Sequence, residues 1–217
     1  MVSYAYIDGA AQFTPTSNGM YFATFYGDYN HGGIKASLTQ IPKFSTPTDS
    51  GGKTSDAYPG TAKVDKYKGT AGNDMMYGLA GNDQLSGGAG DDTLIGGAGS
   101  DKLVGGRGAD AFVFDVVAIK SVDKVTDFKT SEGDTFEFDA SVFTSLASGI
   151  GEENVLIGKK VRAAKTSDQF LILDKVGGKL YYDADGNGTE HKAVQIAGIN
   201  KAGLGGIDYS SFALFVG

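Results

Sequence analysis

A nine-residue unit repeats five times without interruption between Gly69 and Val113, as GTAGNDMMY, GLAGNDQLS, GGAGDDTLI, GGAGSDKLV and GGRGADAFV. Positions 1 and 4 are always glycine, position 6 is always aspartate, and position 8 is always apolar. A glycine-rich stretch that carries Asp and Asn is usually a flexible linker. A linker, however, does not hold four columns in register. The repeat therefore predicts a stacked, regular structure, and it constrains the fold more than any other feature of the chain.

Each fixed column of the repeat has a physical role. Glycine lets the backbone turn tightly with positive φ, and such a turn points carbonyl oxygens inward. A carboxylate added to those carbonyls suits a hard cation that takes six or more oxygen ligands. One unit is too short to bury its apolar side chain alone, so the units must stack. The position-6 aspartates, which are the first candidate metal ligands, are Asp74, Asp83, Asp92, Asp101 and Asp110.

Composition narrows the partners that the chain can have. The formal net charge is −7 and the sequence pI is about 4.8, so a nucleic acid backbone would be repelled and divalent cations are the natural counterions. The chain has no cysteine, which excludes disulfides and thiolate metal sites. The N-terminus, MVSYAYIDGAAQF, lacks the features of a signal peptide, and no apolar run of about 18 residues exists to span a membrane. These signs alone are typical of a cytoplasmic protein.

The repeat separates two regions of different character. Residues 1–60 are rich in aromatic residues and contain the strand-like segments VSYAYI, MYFATFY and GIKASLTQI. From about residue 44 to residue 60 the composition shifts to Ser, Thr, Pro, Gly and Asp, which is typical of a linker or long loop. Residues 114–217 again read as strands, at KVTDF, DTFEFD, QFLILD, KLYYD and KAVQIAG. We therefore divide the chain into residues 1–60, 61–113 and 114–217.

The units match the GGxGxDxUx pattern (U, apolar), and on that pattern the chain resembles RTX, or haemolysin-type calcium-binding, proteins. GADAFVFD is similar to the exit from the last repeat in that family, and VDKVTDFKTSEGDTFEFDASVF is similar to serralysin-like C-terminal domains. FLILDKVGGKLYYDADGNGTEHKAVQIAGI resembles the hairpin region of many bacterial RTX proteins. The resemblance implies an all-β fold, namely a right-handed parallel β-roll flanked by an N-terminal β region and a C-terminal β-rich cap.

The same resemblance implies that calcium lies between unit n and unit n+2. Asp74 would then pair with Asp92, Asp83 with Asp101, and Asp92 with Asp110, which gives about three Ca²⁺ ions. Thr70 and Leu79 replace the second glycine in the first two units, so the site built on Asp74 departs most from the pattern. The glycines expected to help complete the calcium shells are Gly72, Gly81, Gly88, Gly90, Gly97, Gly99, Gly106 and Gly108.

A further candidate metal site is the segment DADGNG. Asp183, Asp185 and Asn187 occupy the first, third and fifth positions of an EF-hand-like loop, with Gly188 at the sixth. The twelfth position is Val194, so the bidentate glutamate is missing. A turn between two strands explains the same residues without a metal, and both interpretations stay open.

The resemblance also implies export by a type I secretion machinery, and hence a location outside a bacterial cell. The apolar ending SSFALFVG suits an uncleaved C-terminal signal, although a terminal strand that completes a sheet explains it equally. Six aspartates in the array face one lysine and one arginine, so we expect the array to be disordered in the cytosol and to fold on extracellular calcium.

Three functions are compatible with the sequence. The favoured one is a secreted, non-enzymatic calcium-binding protein whose residues 1–60 either bind a surface, carbohydrate or protein or cap the roll. The sequence contains neither HExxH nor GxSxG, and we expect no enzyme activity; an enzyme with its active site in residues 1–60 is the second possibility. The third is the C-terminal calcium-binding and secretion module of a larger secreted enzyme, protease-like or epimerase-like. The initial methionine favours a complete gene product over such a piece.

Overall fold

The computed structural model describes residues 4–7, 10–13, 21–27, 34–40, 57–117, 121–188 and 190–215, with side chains from residue 58 onward. The chain divides into two compact units, Met1–Ser45 and Thr46–Gly217. The sequence instead places a boundary after residue 60. The difference arises because Ala57–Thr61 is a strand that pairs with the first repeat and belongs to the second unit.

The first unit contains two antiparallel hairpins. Strand β1 (Tyr4–Ile7) pairs with β2 (Ala10–Phe13), and β3 (Tyr21–Gly27) pairs with β4 (Ile34–Gln40). Strands β1, β3 and β4 coincide with the three segments that the sequence predicts to be extended, whereas β2 was not predicted. The side chains of residues 1–57 lie outside the described residues. The two predicted roles of this region, binding of a partner and capping of the roll, therefore stay predictions.

The second unit is built from two sheets whose strands alternate along the chain. The first sheet has six strands, all parallel, in the order β18-β13-β11-β9-β7-β5. The strands, in that order, are Phe212–Phe215, Thr135–Asp139, Ala111–Phe114, Thr93–Ile95, Met75–Leu79 and Ala57–Thr61.

The second sheet has eight strands in the order β14-β15-β16-β17-β12-β10-β8-β6. In that order they are Val155–Gly158, Leu171–Asp174, Lys179–Tyr182, Val194–Ile199, Asp123–Val125, Lys102–Arg107, Gln84–Ala89 and Lys66–Lys68. In this sheet the neighbouring strands β6, β8, β10, β12 and β17 are parallel to one another. Strands β15, β16 and β17 form an antiparallel meander. Each nine-residue unit therefore contributes one strand, and successive units go to opposite sheets. This is the parallel β-roll that the repeat predicts.

The core lies between the two sheets, and position 8 of the repeat fills it. These five side chains are each at most 1% exposed: Met76, Leu85, Leu94, Leu103 and Phe112. Aromatic rings continue the core beyond the repeats, and the rings of Phe128 and Phe136 stack with centroids 4.1 Å apart. The prediction that position 8 points inward is confirmed.

The remaining regular elements are short. Four 3₁₀ helices occur among the described residues, at Thr144–Leu146, Glu152–Asn154, Lys201–Leu204 and Tyr209–Ser211. In the part of the chain described, no helix has the length and apolar character required to cross a bilayer.

Candidate metal centre

The position-6 aspartates form two ladders, because each strand stacks on the strand 18 residues away. In every step, the backbone N–H of one aspartate donates a hydrogen bond to Oδ1 of the aspartate two units later. The N···Oδ1 distances are 2.8 Å for Asp74 and Asp92, 2.7 Å for Asp83 and Asp101, and 3.0 Å for Asp92 and Asp110. The three pairs implied by the resemblance are therefore neighbours in the structure.

The ladders extend beyond the five units, through three aspartates that the sequence analysis missed. Asp65 donates to Oδ1 of Asp83 over 2.8 Å, Asp101 to Asp123 over 3.0 Å, and Asp110 to Asp134 over 3.1 Å. Residues 60–68 (GTAKVDKYK) carry glycine, aspartate and an aromatic residue at positions 1, 6 and 8. These three matches to the repeat could have identified Asp65 from the sequence. The downstream steps span 22 and 24 residues, so the nine-residue period could not reveal them.

The second carboxylate oxygen of the central aspartates has no protein partner. The Oδ2 atoms of Asp83, Asp92, Asp101 and Asp110 are buried and accept no hydrogen bond within the described residues. Each of these residues is 1% exposed. A buried charged oxygen without a partner is costly, so a native protein supplies a ligand for it. A hard cation is a ligand of the required kind.

The position-1 glycines allow these oxygens to approach the backbone closely. A Cβ atom on Gly96 would lie 2.5 Å from Oδ2 of Asp101. A Cβ atom on Gly87 would overlap Oδ2 of Asp92 and would lie 2.6 Å from the carbonyl oxygen of Gly105. Carboxylate and carbonyl oxygens thus converge where any side chain would intrude. This donor set, all oxygen and partly anionic, fits calcium.

The glycines predicted from positions 2 and 4 lie in the turns between strands. Gly90 and Gly108 have φ values of +117° and +123°, which L-residues rarely adopt. A Cβ atom on Gly108 would also overlap the carbonyl oxygen of Gly90, two units earlier. These positions therefore need glycine for the turn and for the close stacking of successive turns.

The first unit of each ladder differs from the rest. Oδ2 of Asp74 accepts a hydrogen bond from the backbone N–H of Thr70 over 2.6 Å, and Oδ2 of Asp65 accepts one from that of Thr61 over 2.7 Å. Their carboxylates are thus already engaged by the preceding turn. This is the structural counterpart of the departure at Thr70 noted in the sequence.

Position 5 of the repeat forms a second, outer ladder that the sequence analysis did not identify. The side-chain Oδ1 atoms of Asn73, Asn82 and Asp91 each accept the backbone N–H of the residue 18 positions later, over 2.8, 2.9 and 2.8 Å. Because Asn, Asp and Ser all occur at this position, the column does not stand out as conspicuously as the aspartates do.

The local environment disfavours charge on the ladder aspartates. Burial raises the pKa of Asp92 and of Asp110 to about 7, that of Asp101 to about 6, and that of Asp123 to about 8. Backbone hydrogen bonds oppose the rise, and neighbouring carboxylates add to it. Near neutral pH these carboxylates are therefore partly protonated when no cation is bound, and a bound cation would favour their charged form.

The DADGNG segment lies apart from the ladders. It forms the connection between β16 and β17, in the antiparallel part of the second sheet. The Oδ1 atoms of Asp183 and Asp185 are buried there without a hydrogen-bond partner. Asn187 is exposed, and its side-chain amide donates to the carbonyl oxygen of Lys165 over 3.2 Å.

Comparison with known proteins bears on the repeat region. A family profile described as RTX calcium-binding nonapeptide repeat (4 copies) matches residues 59–94 and 77–112. No curated protein sequence matches the chain. The match begins at residue 59, and it therefore includes the unit at residues 60–68 that precedes the five units of the array.

The solved structures that are similar to this chain include an epimerase subunit and an extracellular lipase. The AlgE6R3 subunit of the Azotobacter vinelandii mannuronan C5-epimerase has 24% identity and a TM-score of 0.44, over 71% of this chain and 80% of that one. The extracellular lipase LipA from Serratia marcescens has 18% identity and a TM-score of 0.42, over 99% of this chain and 31% of the lipase. The likeness of the repeat region to RTX proteins depends on the nine-residue pattern and the profile match, and not on these two structures. Residues 59–112, about a quarter of the chain, therefore match the profile of RTX calcium-binding nonapeptide repeats.

Proposed function

We propose that this chain is a secreted, non-enzymatic calcium-binding protein whose RTX repeats fold when they bind extracellular calcium. The observation that carries the proposal is the set of four buried, unpartnered Oδ2 atoms on Asp83, Asp92, Asp101 and Asp110. Each lies so close to a position-1 glycine that a side chain there would displace it. We infer about three ions, held by these aspartates and by carbonyl oxygens of the glycine turns.

Electrostatics explains why folding would depend on calcium. Successive ladder aspartates stack at the spacing of neighbouring strands, about 4.8 Å, so each charged pair costs about 3 kcal/mol at an effective dielectric of about 20. The two ladders contain six such neighbouring pairs. A few such pairs reach the typical folding free energy of about 5–15 kcal/mol, so without a cation either the carboxylates take up protons or the array unfolds. Bound divalent cations would reverse the sign of this contribution.

Circular dichroism tests the proposal on the full chain. We expect the strand signal of the wild type to be lost in excess EGTA and to return when calcium is added in millimolar excess. Magnesium at the same concentration should restore less, because it binds poorly to cages of protein oxygens. A spectrum that keeps its strand signal in EGTA would contradict calcium-dependent folding.

Matched variants connect the effect to the ladders. Asp101→Asn removes a ladder charge and should raise the calcium concentration needed for folding by roughly tenfold or more, because a charged ligand is lost. Asp168→Asn removes an exposed charge outside the roll and should leave that concentration unchanged. Equal behaviour of the two variants would overturn the assignment of the ladders as the calcium site.

The same proposal has three further parts. They are export through a type I machinery, a location outside a bacterial cell, and a serralysin-like character of residues 114–217. Residues 212–215 form strand β18, which pairs with β13, and an unfolded chain would present the same apolar segment freely. Co-expression with a type I exporter tests this. We expect the wild type in the culture medium and a variant without residues 212–217 inside the cell, whereas equal export of both would contradict it.

A further inference from the structure

We propose that the connection between β16 and β17 holds a calcium site of a second kind, outside the β-roll, built on Asp183 and Asp185. This site goes beyond the function proposed above, because none of its residues belongs to the repeat.

Two carboxylate oxygens at this connection are buried and lack a partner. Asp183 is 3% exposed, and its Oδ1 atom accepts no hydrogen bond within the described residues. Oδ1 of Asp185 is buried in the same way, whereas its Oδ2 atom accepts the backbone N–H groups of Glu190 (3.0 Å) and His191 (3.1 Å). Each carboxylate therefore keeps one desolvated oxygen for another ligand.

The two carboxylates lie against each other without a strong cation. Burial, followed by contact with the Asp185 carboxyl, raises the pKa of Asp183. Burial acts on Asp185 as well, but hydrogen bonds from the His191 and Glu190 amides hold its pKa below the usual value. The imidazole Nδ1 of His191 is 3.9 Å from Asp185, and that side chain is 62% exposed. No Lys or Arg pairs with either carboxylate in the described residues, so a divalent cation would supply the missing charge.

The backbone around the pair is fixed by a neighbouring loop. Gly186 has a φ of +61°, and a Cβ atom there would overlap the carbonyl oxygen of Ser167. The backbone N–H of Asn187 donates to the carbonyl oxygen of Thr166 over 3.1 Å, and its side-chain amide donates to that of Lys165. Because the amide nitrogen is engaged, the side-chain oxygen of Asn187 is left as an acceptor. The turn is thus held in one shape before any ion binds, which reduces the entropic cost of binding.

The site differs from an EF-hand in its completion. Val194, at the position of the bidentate glutamate, lies in β17 opposite Tyr182 and offers no side-chain oxygen. Backbone carbonyls and water must therefore supply the remaining ligands. We expect affinity lower than that of a complete EF-hand, because one anionic ligand fewer is available.

Counting bound calcium tests the proposal on the full chain. Equilibrium dialysis at saturating calcium should find one ion fewer for Asp183→Asn than for the wild type. Asp168→Asn, an exposed carboxylate of the neighbouring loop, should match the wild type. If Asp183→Asn does not fold, as judged by circular dichroism in calcium, the same count on Asp185→Asn replaces it. An unchanged ion count in the folded variant would overturn the site.

Amide NMR separates this site from the roll. Above the calcium concentration at which circular dichroism shows the roll to be folded, the amide resonances of Gly186 and Gly188 should shift further in the wild type and in the ladder variant Asp101→Asn, but not in Asp183→Asn. If the roll failed to bind calcium while these two resonances still moved, only the proposed function would be wrong. If the roll bound calcium and these resonances stayed fixed, only the present proposal would be wrong.

Discussion

Replacement of Gly87 by alanine is the most direct test of the oxygen cage, by which we mean the carboxylate and carbonyl oxygens that converge beside the position-1 glycines. A Cβ atom at this position would overlap Oδ2 of Asp92 and lie 2.6 Å from the carbonyl oxygen of Gly105. The Asp92 side chain can rotate away, but the Gly105 carbonyl belongs to the backbone of β10 and can move only with its strand. Gly87→Ala therefore has to displace both the carboxylate and the neighbouring turn.

The size of the effect follows from the contacts that would be lost. Rotation of Asp92 breaks the hydrogen bond that its Oδ1 accepts from Asp74, and bonds to charged groups contribute about 1.5–3 kcal/mol. Forcing an added methyl group into packed backbone costs a further 1–3 kcal/mol, roughly. The sum, about 2.5–6 kcal/mol, corresponds to a fall in Tm of roughly 5–24 °C for a unit of this size.

Thermal unfolding in millimolar calcium measures the change, and Gly205→Ala is the matched control. Gly205 ends a 3₁₀ helix with φ −62° and ψ −48°, and a Cβ atom there would meet nothing within 4 Å. The control should be neutral or more stable by up to about 1 kcal/mol, since alanine restricts the unfolded chain. If Gly87→Ala melted with the control and bound calcium as the wild type does, the cage interpretation would be refuted.

Three further predictions concern strain, core and charge. Leu79 has a φ of +71° where later units have glycine, so Leu79→Gly should raise Tm by a few degrees, and a fall would show that its side-chain packing outweighs the strain. Leu94→Ala should cost about 2–5 kcal/mol in chemical denaturation, whereas Val176→Ala, 42% exposed, should cost under about 0.5 kcal/mol; similar losses would contradict the assigned core. Burial raises the pKa of Asp92 and Asp110 to about 7, so protonation favours the metal-free fold, and the strand signal in EGTA should increase as the pH falls from about 7 toward 4. Calcium binding should weaken over the same range because it needs the deprotonated carboxylates; a strand signal in EGTA that falls together with the calcium affinity would contradict this assignment.

The roll and the central part of its metal site could be predicted because the repeat encodes them locally. Glycine, aspartate and an apolar residue recur at fixed offsets, so each unit has the same turn, ligand and strand. The prediction stopped where the offsets changed. Lys63 replaces the position-4 glycine of the unit before the array, which hid Asp65, and longer loops precede Asp123 and Asp134.

The arrangement of the flanking strands could be predicted only in part. The sequence indicated strands at DTFEFD and KLYYD, and the structure has the strands Thr135–Asp139 and Lys179–Tyr182 there. The pairing of β12 with β17 joins residues about seventy positions apart, and nothing in either segment specifies the other. The composition of residues 44–60 indicated a linker, yet Ala57–Thr61 is a strand because β7 offers it an unpaired sheet edge.

The alternation of strands between two sheets sets a rule for changes in chain length. Because a unit stacks on the one 18 residues away, removal of nine residues would transfer every later strand to the opposite sheet and join the two aspartate ladders out of order. Removal of 18 residues would return each strand to its own sheet and only shorten the roll. An array of this kind can therefore grow or shrink only by an even number of units if its C-terminal region is to keep its place.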